Sequence, residues 1–213
     1  MTLPDTALPL APTALILASA SPRRLALLRQ LETPFSVIPA HIDESVRPGE
    51  MSWVYARRVA YAKAQHIAYQ HPTALVLGAD SIVVLGQQIL GKPRDSAEAQ
   101  HMLTQLSGRV HHVMTALAIL HVARRVVCLE TVSTVVRFRP LTPAAINAYI
   151  ATGEPMDKAG AYAIQGAGRA FVASWDGCYT NVVGLPLRRT ATLLQGLGWT
   201  VTHVPERIAQ SAS

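Results

Sequence analysis

Apolar runs alternate with segments of helical spacing in the first part of the chain. The run from Ala14 to Ser19 is typical of a buried strand, and Pro34 to Ala40 is a second strand candidate. Between them, Ser21 and Pro22 suit a helix N-cap and a first helical residue, and leucines at amphipathic spacing follow. The pattern therefore predicts a strand, a short helix and a second strand.

Longer elements are predicted next. Residues Ser52 to Gln70 form a helix pattern in which Lys63 and apolar residues recur every four positions along one face. Ala74 to Leu85 is typical of a strand, which we expect to be interrupted at Gly78 to Ser81. Asp95 opens a helix with a start that resembles a capping box, and this helix is expected to end before Gly108.

The second half is rich in β-branched residues. Arg109 to Arg139 predicts two long antiparallel strands that turn at Arg124 and Arg125. A helix capped at Thr142 should end near Gly153, and residues 153–184 should form loops and short strands. We expect a last helix over residues 186–197 and a closing strand over residues 199–204. Together these elements predict an α/β fold, a single domain with a mixed, long-stranded central sheet flanked by helices. An arrangement in two lobes around a cleft stays open.

Length and composition limit the class of protein. The chain has 213 residues, 50% of them apolar and 15% charged, which excludes intrinsic disorder and fits one large domain. We expect this domain over residues 14–204, between a loose N-terminal tail, residues 1–13, and a C-terminal tail, residues 205–213. No apolar run is long enough to span a bilayer. The two cysteines, Cys128 and Cys178, predict a reducing, cytoplasmic location and no disulfide scaffold.

The charge indicates an anionic partner. The formal net charge is +6, but the cations are dispersed and show no nucleic-acid recognition motif, so we expect a phosphorylated small molecule rather than DNA or RNA. Only three of the 19 cationic residues are lysines, Lys63, Lys92 and Lys158. Each of them lies in a segment with other candidate functional residues.

The turn from Ser19 to Arg24 is a candidate phosphate site. A helix N-terminus offers free N–H groups and the positive end of the helix dipole, and arginine adds paired donors to phosphate oxygens. An ordinary capped helix with solvated arginines is the alternative.

Asp80 is the candidate for chemistry because apolar residues flank it on both sides, where a buried carboxylate needs a partner or a metal. With Glu44 it would supply the oxygen ligands that Mg²⁺ prefers. An exposed Asp80 in a turn is the alternative. Lys63 and Lys92 taken singly are indistinguishable from surface lysines, and the glycine-rich segment 153–166 is typical of a shaped binding loop.

These residues give the sequence a resemblance to the Maf family of nucleoside triphosphate pyrophosphatases, and within it to the dTTP/UTP pyrophosphatase branch, from about Ala14 to Leu197. The blocks that carry the resemblance are Ser-Ala-Ser-Pro-Arg-Arg (19–24), Asp43-Glu44, Lys63-Ala64, Gly-Ala-Asp-Ser (78–81), Gly-Lys-Pro-Arg-Asp (91–95), Leu106, Ser107 and Gly108 with His112 and Thr115, and the segment from Asp157 to Gly166. Their order and spacing together make the resemblance specific. Ser81 departs from the branch, which commonly has threonine there, but it keeps the hydroxyl.

The resemblance implies hydrolysis of dTTP and UTP to the monophosphate and pyrophosphate with a divalent cation, Mg²⁺ or Mn²⁺. It implies Asp80 as the catalytic proton acceptor. An ordinary aspartate is a weak base, so a role as metal ligand together with Glu44 stays open. The substrate-binding residues that it implies are Ser19, Arg23, Arg24, Glu44, Lys63, Ser81, Lys92 and Gln165.

Other functions remain as alternatives. They are a non-catalytic nucleotide-binding regulator linked to cell division, a pyrophosphatase for 7-methyl-GTP or another modified nucleotide, and a basic nucleic-acid-binding protein. The family's 7-methyl-GTP branch carries an acidic residue where this chain has Gln165, whose amide can both accept from and donate to a uracil edge. Whether the chain forms a homodimer also stays open.

Overall fold

A mixed seven-stranded sheet forms the centre of the computed structural model, which describes residues 13–205. Its strand order is β2-β1-β3-β5-β6-β7, and β4 pairs with β3. The strands are β1 (Leu15–Leu17), β2 (Ser36–Val37), β3 (Leu75–Leu85), β4 (Gln88–Leu90), β5 (Val110–His121), β6 (Val126–Phe138) and β7 (Val172–Asp176). Only the pairs of β1 with β2 and with β3 are parallel, which confirms the predicted mixed, long-stranded sheet.

Helices pack on both faces of this sheet. They are α1 (Pro22–Arg29), α2 (Ser52–Ala68), α3 (Ser96–Leu106), α4 (Pro143–Ala151), α5 (Tyr179–Val183) and α6 (Leu187–Gly196), with short 3₁₀ helices at Glu154–Asp157, Ala159–Ala161 and Ala167–Phe171. Side chains of α2 share one apolar core with alternate residues of β3, while α1, α3, α4 and α6 share the other. The chain is thus a single α/β domain whose sheet separates two cores.

The predicted helix starts form as expected. The Ser21 hydroxyl accepts from the Arg24 N–H at 3.4 Å, and Asp95 Oδ1 accepts from the Glu98 N–H at 2.8 Å. Each cap satisfies an N–H that has no partner inside its helix. The turn between β5 and β6 lies at the predicted place, and Arg125 adopts a positive φ there.

One edge of β3 leaves an opening in the sheet. β1 pairs with β3 as far as Leu77, β4 begins its pairing at Val83, and β5 occupies the whole opposite edge. Within residues 13–205, no strand pairs with residues 78–82 on the β1 side. Ligands of open α/β sheets bind at such gaps beyond the carboxyl ends of parallel strands. The opening therefore marks where a site is expected.

Several predicted boundaries were wrong. β3 runs unbroken through Gly78 to Ser81 because its ladder with β5 continues across them. The short β4 was not predicted, and of the strand expected over residues 34–40 only Ser36–Val37 forms. The expected closing strand over residues 199–204 is absent from the described structure, where this segment attaches to the end of α1 through single bonds, including His203 N–H to the Leu31 carbonyl.

The two predicted tails fall largely outside the described residues. Of residues 1–13 and 205–213, only Thr13 and Pro205 are described. Among the described residues, none of the helices is long and apolar enough to cross a membrane.

Candidate active site

A cleft of about 320 Å³ lies at the opening in the sheet. It is lined by the turn after β1, the middle of β3, α2 and the loops on either side of Tyr162. Every residue predicted for the site lines this cleft: Ser19, Arg23, Arg24, Glu44, Lys63, Asp80, Ser81, Lys92 and Gln165. Residues spread over more than half of the chain are thus brought together in one cavity.

The gap in the sheet explains why adjacent residues of β3 reach the same cavity. Neighbours along a strand point to opposite faces, and Asp80 lies on the α2 face whereas Ser81 lies on the other. Because no strand covers this edge of β3 within the described chain, the cleft extends past the edge and meets both side chains.

Close packing of α2 on β3 places Lys63 beside Asp80. A Cβ atom on Gly78 would lie 2.3 Å from the Ala60 carbonyl oxygen and 2.8 Å from the Ala64 nitrogen, so only glycine permits this approach. Lys63 is on the same side of α2, and its Nζ donates to Asp80 Oδ1 at 2.9 Å. Gly78 is therefore a packing residue, and neither the predicted interruption of the strand nor the alternative of a turn at this position is found.

Asp80 is buried and ionisable in the same cleft. Its exposed fraction is 6%, and burial raises the pKa of its carboxyl above the ordinary 3.8, while the positive charges of Lys63 and Arg24 act in the opposite direction. Oδ1 accepts from Lys63, whereas Oδ2 has no hydrogen bond to any residue of the 13–205 region. The second oxygen is therefore available to a water molecule or a cation.

Glu44 reaches the site from a loop that is fixed to α2. The Glu44 carbonyl accepts from the Tyr55 hydroxyl at 2.8 Å, and the Ser45 carbonyl accepts from Arg58 at 2.8 Å. Arg58 also binds both carboxylate oxygens of Glu50, at 2.7 and 2.8 Å, and this contact lowers the pKa of Glu50 to about 2. Held in this way, Glu44 Oε2 accepts from the Lys63 ammonium at 2.7 Å.

Lys63 thus lies between the two carboxylates that were predicted as metal ligands. It bonds one oxygen of each, and the other oxygens, Glu44 Oε1 and Asp80 Oδ2, have no hydrogen-bond partner in the described part of the chain. No group of three or more His, Cys, Asp or Glu side chains within residues 13–205 is placed to hold a metal ion. A Mg²⁺ ion held here would have two carboxylate oxygens as its protein ligands and would need the remaining ligands from substrate phosphates and water.

Arg24 connects three segments that line the cleft: the turn after β1, strand β3 and the loop after α5. Its guanidinium donates to the Gly184 carbonyl at 2.8 Å, to Ser81 Oγ at 3.0 Å and to Ser19 Oγ at 3.2 Å. Burial lowers the pKa of Arg24 from its usual value, although the nearby carboxylate of Asp80 opposes this effect. Arg24 therefore orients two of the predicted substrate-binding hydroxyls in addition to carrying positive charge.

Charged residues of both signs line the mouth of the cleft. Arg23 lies 3.5 Å from Asp157, and Asp157 also forms an ion pair with Lys158. Lys92 is exposed, and no acidic side chain among the described residues forms an ion pair with it. In total the cleft carries five cationic and three acidic side chains, a net charge of +2.

Gln165 lies at the edge of the cleft with its side chain exposed. Its amide makes no hydrogen bond to the rest of the described chain, whereas the neighbouring Ile164 is buried in the core. The amide therefore does not hold its own loop and is not engaged by another described residue.

Sequence reasoning missed several residues of this site. Asp157 and Lys158 belong to the glycine-rich segment that was singled out, but neither was assigned a role. Thr115 and Asn181 hold the Ser81 hydroxyl in place. Ser81 Oγ is 2.8 Å from Thr115 Oγ1, and Thr115 Oγ1 donates to the Asn181 carbonyl at 3.2 Å. A hydroxyl in a buried strand was the available signal for Thr115, while Asn181 comes close only through folding.

Comparisons with known proteins agree on one family. The family model described as Maf-like protein matches residues 14–197. A dTTP/UTP pyrophosphatase of Anaeromyxobacter sp. (strain Fw109-5) is 52% identical over 187 residues, which cover 86% of this chain and 89% of that protein. A protein with the same name from Myxococcus xanthus (strain DK1622) is 51% identical over 87% of this chain and 93% of its own length. Another from Yersinia pestis bv. Antiqua (strain Antiqua) is 52% identical over 85% of this chain and 92% of its own length. With the family model matched along almost the whole domain and such relatives over most of the chain, the chain belongs to the Maf family.

Proposed function

We propose that this chain is a nucleoside triphosphate pyrophosphatase that hydrolyses dTTP and UTP to the monophosphate and pyrophosphate. The observation that carries the proposal is the buried Asp80, with one oxygen held by Lys63 and the other open to the cleft. Relatives at about half identity over most of the chain carry the same activity in their names, which supports this choice of reaction and substrate.

The charge of the cleft supports a triphosphate substrate. A nucleoside triphosphate carries about four negative charges near neutral pH, and a bound divalent cation reduces them to about two. The cleft's net charge of +2 balances that complex. Arg23, Lys92 and the N-terminus of α1 present donors to phosphate oxygens at the mouth.

The reaction needs one water molecule and one proton acceptor. The water oxygen forms a bond to the α-phosphorus as the bond from that phosphorus to the α–β bridging oxygen breaks, and pyrophosphate leaves with the bridging oxygen. The water proton passes to Asp80 Oδ2. Because burial raises the pKa of Asp80, the carboxylate is a better base than an exposed aspartate.

A divalent cation, Mg²⁺ or Mn²⁺, would be held by Glu44 Oε1 together with substrate phosphates and water, and by Asp80 Oδ2 in the alternative in which this oxygen is a metal ligand and not the proton acceptor. When bound, the ion neutralises phosphate charge and polarises the phosphoryl oxygens. Lys63 orients both carboxylates through its two hydrogen bonds and carries one of the positive charges of the cleft.

The exposed amide of Gln165 supports a uracil or thymine base. The amide oxygen can accept from the N3–H of the base while the amide nitrogen donates to a ring carbonyl. A carboxylate at this position could only accept, so we place 7-methyl-GTP behind dTTP and UTP as a substrate. No feature of the described structure favours a regulator without turnover over the enzyme.

We also propose where the enzyme is located and what it binds. We place it in the cytoplasm, with a nucleotide as its partner and neither a nucleic acid nor a membrane. A homodimer is the assembly to look for in solution, by sedimentation.

Product analysis tests the proposal. The purified chain, incubated with UTP or dTTP and Mg²⁺, should release the monophosphate and pyrophosphate, as measured by ion-exchange chromatography. Release of orthophosphate and the nucleoside diphosphate would place the attack at the γ-phosphorus and refute the proposal.

A further inference from the structure

A carboxylate and a phenol connect the loops around Gln165. Glu154, at the start of the first 3₁₀ helix, accepts from the Tyr149 hydroxyl at 2.8 Å through Oε1. Its other oxygen accepts from the Ala167 N–H at 3.0 Å, and Oε1 lies 3.4 Å from the Gly168 nitrogen, which also donates to it. Glu154 therefore fixes the backbone at Ala167 and Gly168, shortly after Gln165.

Tyr149 fixes the backbone on the other side. This buried residue of α4 accepts a hydrogen bond from the Ala163 N–H at 3.1 Å through the same hydroxyl that donates to Glu154. The pair thus bonds to the main chain both before and after Gln165. Although partial burial acts to raise it, the hydrogen bonds from Tyr149 and from the backbone leave the pKa of Glu154 below its ordinary value. The carboxylate is therefore the form that this arrangement stabilises.

Two glycines permit this close contact. A Cβ atom on Gly166 would lie 2.3 Å from both carboxylate oxygens of Glu154. A Cβ atom on Gly168 would lie 2.7 Å from the Tyr149 hydroxyl and from the Ala163 carbonyl oxygen. The loop is built directly against the Glu154–Tyr149 pair.

We propose that Glu154 and Tyr149 are positioning residues for base selection, which act by setting the backbone from which Gln165 projects into the cleft. Because the Gln165 amide has no hydrogen bond within the described chain, its direction depends on how its backbone is held. The inference rests on the proposed function, since it assigns the pair a role in the choice of nucleotide. Neither residue lines the cleft, so both act through Gln165.

Substrate ranking tests this role in Glu154→Gln and Tyr149→Phe. In wild type the two oxygens of Glu154 accept from the Tyr149 hydroxyl and from the N–H groups of Ala167 and Gly168. A glutamine has one acceptor oxygen, and its NH₂ group would face one of these donors without forming a hydrogen bond. Phenylalanine removes the acceptor of the Ala163 N–H. We expect the ratio of kcat/KM for UTP to kcat/KM for 7-methyl-GTP to fall by about 5-fold or more, the lower end of the cost of an unpaired polar group. The loss should come more from KM for UTP than from kcat.

Glu130→Gln is the matched control. Glu130 also forms an ion pair, with Arg189, but it lies on β6 outside the cleft. The control should keep the wild-type ratio. If either variant instead loses UTP and 7-methyl-GTP turnover by the same factor, the pair is merely structural and the inference is wrong.

Equilibrium binding separates this inference from the proposed function. Non-hydrolysable analogues of UTP and 7-methyl-GTP are titrated against wild type and against both variants. A wild type that binds the UTP analogue but does not hydrolyse UTP overturns the proposed function alone. If the ratio of the two dissociation constants is the same in the variants as in wild type, the positioning role alone is overturned.

Discussion

At the scale of single residues, the Asp80 carboxylate is shaped by two opposing influences. Burial in the middle of β3 disfavours its charge, and the ammonium of Lys63 at 2.9 Å favours it. The outcome is a carboxyl whose pKa is raised but which keeps one oxygen open to the cleft. This combination suits proton transfer better than either an exposed or a fully paired aspartate.

Asp80→Asn should lower kcat for UTP by about 100-fold or more, because the amide cannot accept the water proton. Since the folded pKa is raised, ionised Asp80 opposes folding as the pH rises through that value, and the neutral amide removes this penalty. The amide is also a weaker partner than a carboxylate for the Lys63 ammonium, which offsets this gain. The melting temperature at neutral pH should therefore change little, as differential scanning calorimetry would show. A variant that keeps more than about a tenth of the wild-type rate would contradict the assignment.

Lys63→Met should move the acid limb of the kcat/KM profile to higher pH. Burial raises the pKa of Asp80, and the charges of Lys63 and Arg24 lower it. When the Lys63 charge is removed, Arg24 is the one neighbouring cation that still opposes the effect of burial, so the pKa of Asp80 rises. More of the carboxylate is then protonated at a given pH. Initial rates with UTP across the pH range provide the measurement, and a limb at its wild-type position would argue against Asp80 as the titrating group.

Gln165→Glu should weaken UTP and dTTP turnover because a carboxylate has no N–H to donate to a ring carbonyl. An unpaired polar group costs about 1–3 kcal/mol, which corresponds to roughly 5- to 150-fold in kcat/KM. Assays against UTP, dTTP, CTP and 7-methyl-GTP give the ranking. If the order of the four substrates stays the same, Gln165 does not read the base.

At the scale of secondary-structure elements, the contact of α2 with β3 sets the geometry of the site. Gly78 has no Cβ, so the α2 backbone lies against the strand, and the helix that packs there also presents Lys63. The same strand leaves residues 78–82 without a partner on the β1 side within the described chain, and this edge opens the cleft. One packing contact and one missing strand pair together create the site.

Gly78→Ala should reduce both stability and activity. The added methyl group would lie 2.3 Å from the Ala60 carbonyl oxygen, so α2 must shift, at a cost of about 1–3 kcal/mol. The shift also moves Lys63 away from Asp80. Gly196→Ala is the control, because a Cβ there would meet nothing within 4 Å. Chemical denaturation and UTP turnover measure the two effects, and equal behaviour of both variants would refute the packing role.

At the scale of the whole molecule, part of the positive charge is concentrated in the cleft. The chain carries a formal net charge of +6, and the cleft accounts for +2 of it at one concave site. The remaining cations are dispersed along the sequence, so we expect a small anion rather than a nucleic acid as the partner.

Duplex DNA should therefore bind weakly and with a shallow dependence on salt. Few phosphate contacts release few counterions, so the slope of log K against log salt should be small. Fluorescence anisotropy with a labelled duplex over a salt series checks this expectation. A steep slope would favour the alternative of a nucleic-acid-binding protein.

Much of the fold could be predicted from local pattern. Hydrophobic spacing and capping residues placed α2, α3 and the long pair β5 and β6 because these elements are long and strongly periodic. The strands expected over residues 34–40 and 199–204 were overestimated, since a short apolar pattern forms a strand only where a partner edge is available. Gly78 was misread because glycine in a strand marks a turn as readily as a close approach.

The sequence by itself determined the family, and it singled out residues that the structure brings to one cleft, because the ordered blocks that carry them are local and specific. Only the tertiary structure decided how they work together: that Lys63 joins Glu44 to Asp80, that Arg24 aligns Ser19 with Ser81, and that the Gln165 amide is left available. These relations depend on distances between residues that are far apart in the chain. Such distances are set by the packing of helices on the sheet, and no local pattern contains them.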